Sequence, residues 1–171
     1  MPEEFTVQAL GTGHDRKGFS CGVPALDRYL AELATQDIRR RVSNCFVACD
    51  GAGTVAAYYT FAATSFPLSD LPPEETKRLP RYGVLPAGLI GRLAVDQRFR
   101  RRGLGGALII DATRRAAAAD PAIFALVVDA KDNEAVTFYQ RLEFRRFASR
   151  PMSLYLPIAT ALKAIEAAGK G

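Results

Sequence analysis

The sequence predicts a mixed α/β fold built as one unit, and three observations carry that prediction. Segments with a two-residue apolar period alternate with segments of helical period along the chain. The run from 123 to 129, IFALVVD, is apolar without alternation, as in a strand covered on both faces. The run from 93 to 106, LAVDQRFRRRGLGG, joins the end of an apolar strand to an alanine-rich helix through arginines and closely spaced glycines. Length agrees with this picture, because 171 residues, 49% of them hydrophobic, can bury a core without staples or metals. The chain has no internal repeats and no low-complexity linker.

The elements follow in order. Residues 5 to 10 alternate as a first strand, and 11 to 18 form a loop of turn formers. Pro24 suits a first helical turn, and Leu26, Tyr29, Leu30, Leu33 and Ile38 fall on one stripe at helical spacing. That helix ends in Arg39, Arg40 and Arg41, where the dipole favours positive charge. Two strand-like runs, 44 to 50 and 54 to 65, read as a hairpin around Asp50, Gly51, Ala52 and Gly53. Residues 66 to 83 hold Pro67, Pro72, Pro73 and Pro80 and read as an excursion with one short helix.

A long strand over 85 to 96 then leads into the glycine turn and a helix from about Gly103 to Ala118, with Leu104, Ala107, Leu108 and Ala112 facing inward. After the strand at 123 to 129, Asp132 or Asn133 caps a helix over 134 to 142. A closing pair of strands follows at 144 to 148 and 152 to 156, and the tail from 159 to 168 is an alanine-rich helix.

Charge and cysteine usage narrow the function classes. Lys and Arg total 23 against 18 Asp and Glu, a net +5, which suits anionic ligands without selecting nucleic acid over a phosphorylated cofactor. Cys21, Cys45 and Cys49 are odd in number and lack C-x-x-C spacing, so they read as small core residues in a reduced, cytoplasmic protein with no disulfide and no metal site. No apolar stretch approaches the roughly 20 residues that a membrane helix needs.

The glycine turn carries the chemistry. A strand feeding such a turn at a helix start aims backbone N–H groups that lack intrahelical partners at one spot, and that spot binds anions. Glycines also mark tight turns that bind nothing. Gly103, Gly105 and Gly106 beside Arg100, Arg101 and Arg102 favour the phosphate reading, because bare Cα positions let the backbone approach a diphosphate. Arg39, Arg40, Arg41 and Arg92 are candidates for contacts to an anionic acceptor, while Arg78, Arg81, Arg145, Arg146 and Arg150 can extend a positive rim. A charge run is more often simply a solvated face. His14, in a loop, reads as a surface histidine, so no strong general base is visible.

Arg100, Gly103 and Gly105 fill the pattern Arg/Gln-x-x-Gly-x-Gly/Ala, and Asn133, Phe138, Tyr139, Leu142 and Phe144 form a second signature. On these residues the chain resembles the GNAT superfamily of acetyl-CoA dependent N-acetyltransferases, with Glu143 standing where the family has glycine, which implies a turn of different shape there. The segments FSCGVPALDRYL, GRLAVD and SLYLPI further resemble the subgroup that serves as toxins of type II toxin–antitoxin modules.

The resemblance implies one N-acetyltransferase domain over residues 1–171, with a central mixed, largely antiparallel sheet flanked by helices. It implies that acetyl-CoA lies along Leu93, Ala94 and Val95, with the Val95 N–H polarising the thioester carbonyl, and that its diphosphate sits on Arg100, Arg101, Arg102, Gly103, Leu104, Gly105 and Gly106. On their own, the side chains of Leu93 and Val95 read as core. Asn133 would hold the amide-bearing arm of the cofactor, and Tyr139 would be the general acid for the leaving thiolate, although periodicity alone makes Tyr139 a core residue.

The function implied is acetylation of the α-amine of aminoacyl-tRNA, with a ribbon-helix-helix antitoxin and a homodimer as expected partners. A GNAT enzyme acting on a small-molecule or protein amine, and a non-enzymatic acyl-CoA-sensing or partner-binding module, stand as the alternatives.

Overall fold

In a computed structural model of the chain, residues 4–81 and 83–169 are described. They form a mixed α/β structure whose seven-stranded sheet has the hydrogen-bonded order β1-β2-β3-β4-β5-β7-β6 and is flanked by helices. The strands are β1 (Thr6–Ala9), β2 (Asn44–Cys49), β3 (Val55–Pro67), β4 (Val84–Val95), β5 (Ala125–Asp129), β6 (Arg145–Arg146) and β7 (Ser153–Pro157). The helices are α1 (Pro24–Arg28), α2 (Ala34–Arg39), α3 (Pro73–Thr76), α4 (Leu104–Ala118), α5 (Asn133–Arg141) and α6 (Ile158–Gly169). The chain falls into two compact units, 4–62 with 90–111 and 63–89 with 112–169.

In the first unit β1 pairs antiparallel with β2, Thr6 opposite Cys49 and Ala9 opposite Phe46, and β2 pairs antiparallel with β3 through the expected hairpin. The Asp50 carboxylate builds that turn by accepting the N–H groups of Ala52 and Thr54 at 3.0 and 2.8 Å, while Gly53 takes a φ of +84°. A bulge at Ala48 and Cys49 absorbs one residue of register.

The core of this unit gathers Phe19, Leu30, Cys45, Val47, Tyr58 and Ala94. Tyr58 is fully buried and donates its hydroxyl to the Leu26 carbonyl at 2.7 Å, so its polar end adds no desolvation cost. All three cysteines are buried, as expected of small core residues.

The first helix departs from its expected regular form. A π turn, Tyr29–Leu33, separates α1 from α2 and inserts a residue into the stripe. Leu30 and Ala34 therefore face the core, whereas Leu33, expected inward, is 37% exposed. Arg16 occupies the opened turn, donating to the Leu30 carbonyl at 3.2 Å and to Thr35 Oγ1 at 2.8 Å.

In the second unit β7 runs antiparallel to both β5 and β6, with Ala125 opposite Pro157 and Arg145 opposite Tyr155. Phe66, Leu85, Ala87, Ala125, Val127, Phe147 and Tyr155 form its core. Phe66, Phe147 and Tyr155 pack with ring centroids 4.8 to 6.3 Å apart. Such pairs contribute about 0.5–1.5 kcal/mol each beyond area burial.

The excursion holds the short helix α3 and also a 3₁₀ turn, Leu68–Asp70. Two carboxylates strap it down. Asp70 accepts from Ser149 and Arg150, and Glu75 accepts from Tyr155 and Arg145. The strand expected over 144 to 148 shrinks to Arg145–Arg146. Phe147 turns inward there, donating its N–H to the Ser153 carbonyl at 3.0 Å and burying its ring.

Candidate acyl-coenzyme site

The long strand β4 does not run straight into the glycine turn as the sequence suggested, because a 3₁₀ turn, Gln97–Phe99, intervenes with Asp96 as its cap. Beyond it Arg101 and Gly103 take positive φ of 64° and 75° before α4 begins at Leu104. The left-handed conformation is free for Gly103 and costs about 1–2 kcal/mol for Arg101. Strain of this kind persists where a turn must keep its shape.

Ala107 N–H bonds the Gly103 carbonyl at 3.0 Å, so the N–H groups of Leu104, Gly105 and Gly106 precede the first closed rung of α4. A Cβ built on Gly103 would meet no atom within 4 Å. Free first-turn donors, open space over Gly103 and exposed cations fit a diphosphate.

The arginines differ in what they touch. Arg100 directs Nη2 to the Cys21 carbonyl at 2.8 Å. Arg102 lies over the Phe99 ring, 5.4 Å from its centroid, and 3.8 Å from Glu4. Arg101 is exposed. Leu104 is buried together with Ala107, Leu108 and Ala112, as the helical pattern required. On β4, Ala94 is the residue that enters the core, whereas Leu93 and Val95, read as core from their identity, are half-buried.

Sequence reasoning missed the group that braces this turn. Asp96 is 1% exposed, and its carboxylate accepts the Ser20 N–H at 3.0 Å, the Arg98 N–H at 2.9 Å and the Arg98 guanidinium at 3.0 and 3.1 Å. Burial alone would lift this carboxyl, but the Arg98 side chain and the two N–H groups outweigh it and hold it below the usual carboxylate range. An aspartate one residue after a strand and two before an arginine is a local capping signal. Its link to Ser20 has no such signature.

In the second unit α5 is capped by Asp132, whose carboxylate accepts the Ala135 N–H at 2.8 Å, which makes Asn133 the first helical residue, with its side chain exposed. Tyr139 lies two residues before the end of α5, 8% exposed, with its ring edge-on to both Phe138 and Phe144. Burial pushes the phenol up to about 12. Among the described residues its hydroxyl has no hydrogen-bond partner, and no buried side-chain polar atom is left unsatisfied, so that oxygen reaches solvent. Glu143 has a φ of +73°, so the turn keeps a glycine-like shape, contrary to expectation, with a side chain on it.

The candidate acceptor residues divide as well. Arg39, Arg40 and Arg41 are exposed, and Arg41 ends the helix at a φ of +60°. Arg92 is half-buried, its guanidinium stacked 3.6 Å from the Tyr29 centroid, and the Tyr29 hydroxyl donates to Asp37 at 2.7 Å. Of the wider rim, Arg145 and Arg150 are already engaged by Glu75 and Asp70. His14 accepts the Gly11 N–H at 2.9 Å within its own loop.

The Acetyltransferase (GNAT) domain family matches residues 83–153. The chain is 31% identical over 157 residues to the probable toxin TacT of Sinorhizobium fredii, covering 86% of this chain and 87% of that protein. It is 35% identical over 149 residues to the tRNA-acetylating toxin of Mycobacterium tuberculosis, covering 86% and 88%. Among solved structures, AtaT complexed with acetyl-methionyl-tRNAfMet superposes with a TM-score of 0.83 at 26% identity, covering 95% of this chain and 97% of that one. On that identity, sustained over most of both proteins, the chain belongs to the toxin branch of the GNAT acetyltransferase family.

Proposed function

We propose that the protein transfers the acetyl group of acetyl-CoA to the α-amine of an aminoacyl-tRNA and so blocks translation. The observation that carries this reading is the 35% identity, over 86% of the chain, to a tRNA-acetylating toxin. Residues 1–171 then act as one N-acetyltransferase domain in the cytoplasm, paired with a ribbon-helix-helix antitoxin and forming a homodimer.

Acetyl-CoA supplies the activated acyl group as a thioester. The N–H groups of Leu104, Gly105 and Gly106, with Arg101 and Arg102, hold its diphosphate, and the Gly103 φ of +75° leaves room for the approach. Leu93, Ala94 and Val95 present strand backbone to the acyl arm, and Asn133 holds the amide-bearing part. Tyr139 keeps its proton to about pH 12 and has a donor without a protein partner. A thiol is a stronger acid than that, near 8.5. The phenol therefore works by hydrogen-bonding the departing thiolate, a donor set in place before the charge develops, and the thiolate takes up the proton that the acetylated nitrogen loses, so that amide and free thiol are the products. The ester of an aminoacyl acceptor withdraws electrons and leaves its amine largely neutral, so the absence of a placed base is compatible with the reaction.

Thiol release measured with acetyl-CoA and a panel of charged tRNAs tests the reading. Release with charged tRNA and none with polyamines or peptides is expected, together with acceptor affinity that falls as salt rises. Release with polyamines or peptides alone would replace the acceptor, and no release with any amine would leave a binding module.

A further inference from the structure

The backbone of residues 20–22 lies against the turn at 96–100 through a set of contacts that the proposed chemistry does not use. Asp96 accepts the Ser20 N–H, and the Gln97 N–H returns to the Ser20 carbonyl at 2.9 Å. Arg100 takes the Cys21 carbonyl at 2.8 Å, while the Cys21 N–H goes to Asp27 of α1 at 2.8 Å. Gly22, with a φ of +90°, comes so close that a Cβ there would lie 2.7 Å from Gln97 Nε2 and 3.2 Å from Arg100 Nη2. The clamp thus engages both N–H and C=O of Ser20 and of Cys21, and its one buried charge is Asp96. Each of these four backbone groups has a partner on one side or the other, which fixes the loop.

We infer that Asp96 is a positioning residue for the acyl-coenzyme turn: by holding residues 20–22 against 96–100 it fixes the direction in which the free N–H groups at the start of α4 point. This rests on the reading that those N–H groups bind acetyl-CoA. Asparagine at 96 keeps the size but loses one acceptor oxygen and the charge, so the Ser20 and Arg98 contacts cannot all survive. A turn that has lost its brace still folds, yet must be ordered at the moment the coenzyme binds. The defect therefore belongs in the KM for acetyl-CoA rather than in kcat.

Steady-state kinetics of the full chain separate the outcomes. Asp96→Asn is expected to raise the acetyl-CoA KM about tenfold, with kcat within about threefold of wild type. Gly22→Ala, exposed and outside the core, would press a Cβ to 2.7 Å from Gln97 Nε2 and 3.2 Å from Arg100 Nη2 and strain a φ of +90°, so it loosens residues 20–22 from the same turn and is expected to raise the same KM at least threefold, which decides the matter if Asp96→Asn does not fold. Wild-type KM in the folded variants, with only a lower melting temperature, would overturn the positioning role. Gly105→Asp tests the underlying reading separately: it fills the cradle and adds like charge, and if it bound coenzyme A as wild type does, the site assignment itself would fail.

Discussion

Phe144 donates its backbone N–H to the Tyr139 carbonyl at 3.1 Å and packs its ring edge-on against the same residue, centroids 5.3 Å apart. With the Glu143 N–H on the Gln140 carbonyl at 3.0 Å, this is a Schellman ending of α5, in which the left-handed position belongs to Glu143. A glutamate there pays a backbone cost that glycine does not. Glu143→Gly is expected to stabilise the protein by about 1 kcal/mol, read as a higher midpoint in urea denaturation, because the ending of α5 is retained and only the strain is relieved.

Tyr139→Phe keeps the ring between Phe138 and Phe144 and deletes only the donor. The expected result is a fall in kcat of about a hundredfold or more, with coenzyme A affinity within about twofold of wild type by calorimetry. Unchanged turnover would return Tyr139 to a packing role alone.

Alkaline pH acts on stability through groups that burial keeps neutral. The Cys45 thiol is pushed up to about 12 from its ordinary 9.0, and the Tyr139 phenol to about 12 from 10.0. Both native-state values lie above the unfolded ones, so this stabilisation is complete below pH 9 and drains away as the pH rises toward 12. Melting temperature should fall across that window, and less steeply in Cys45→Ala, whatever that variant loses in packing. A parallel slope in the variant would refute the assignment to Cys45.

Gly103→Ala separates backbone conformation from steric filling. The new methyl meets no protein atom, so the folded protein bears only the cost of a left-handed alanine, about 1 kcal/mol. A loss of coenzyme affinity of about tenfold beyond that, with the melting temperature nearly kept, is expected if the open space over Gly103 belongs to the ligand.

The glycine turn was legible because glycine identity and position alone announce a strand-to-helix turn that needs a positive φ, as Gly103 has. Leu104, Ala107, Leu108 and Ala112 were legible for a related reason: a regular helix makes spacing equivalent to facing. Leu33 was not, since both Leu33 and Ala34 continue a stripe from Leu30, and the choice between them is made by an inserted residue that no local pattern marks. Asp96 shows a further limit. Its partner N–H belongs to Ser20, 76 residues away in sequence, and a backbone donor has no residue type by which to be recognised. Tyr139 is core, as periodicity indicated, and its hydroxyl has no hydrogen-bond partner among the described residues.

The π turn that admits Arg16 leaves the rod formed by α1 and α2 one residue longer than its packing demands. Excise Leu33, and Ala34 and Ile38 follow Leu30 at three and seven positions, the spacing of an unbroken stripe. The splice would heal, and the cationic tip at Arg39, Arg40 and Arg41 would keep its bearing. What would be lost is a berth: the Leu30 carbonyl would return to the helical ladder, and Arg16 would come adrift with the loop it moors.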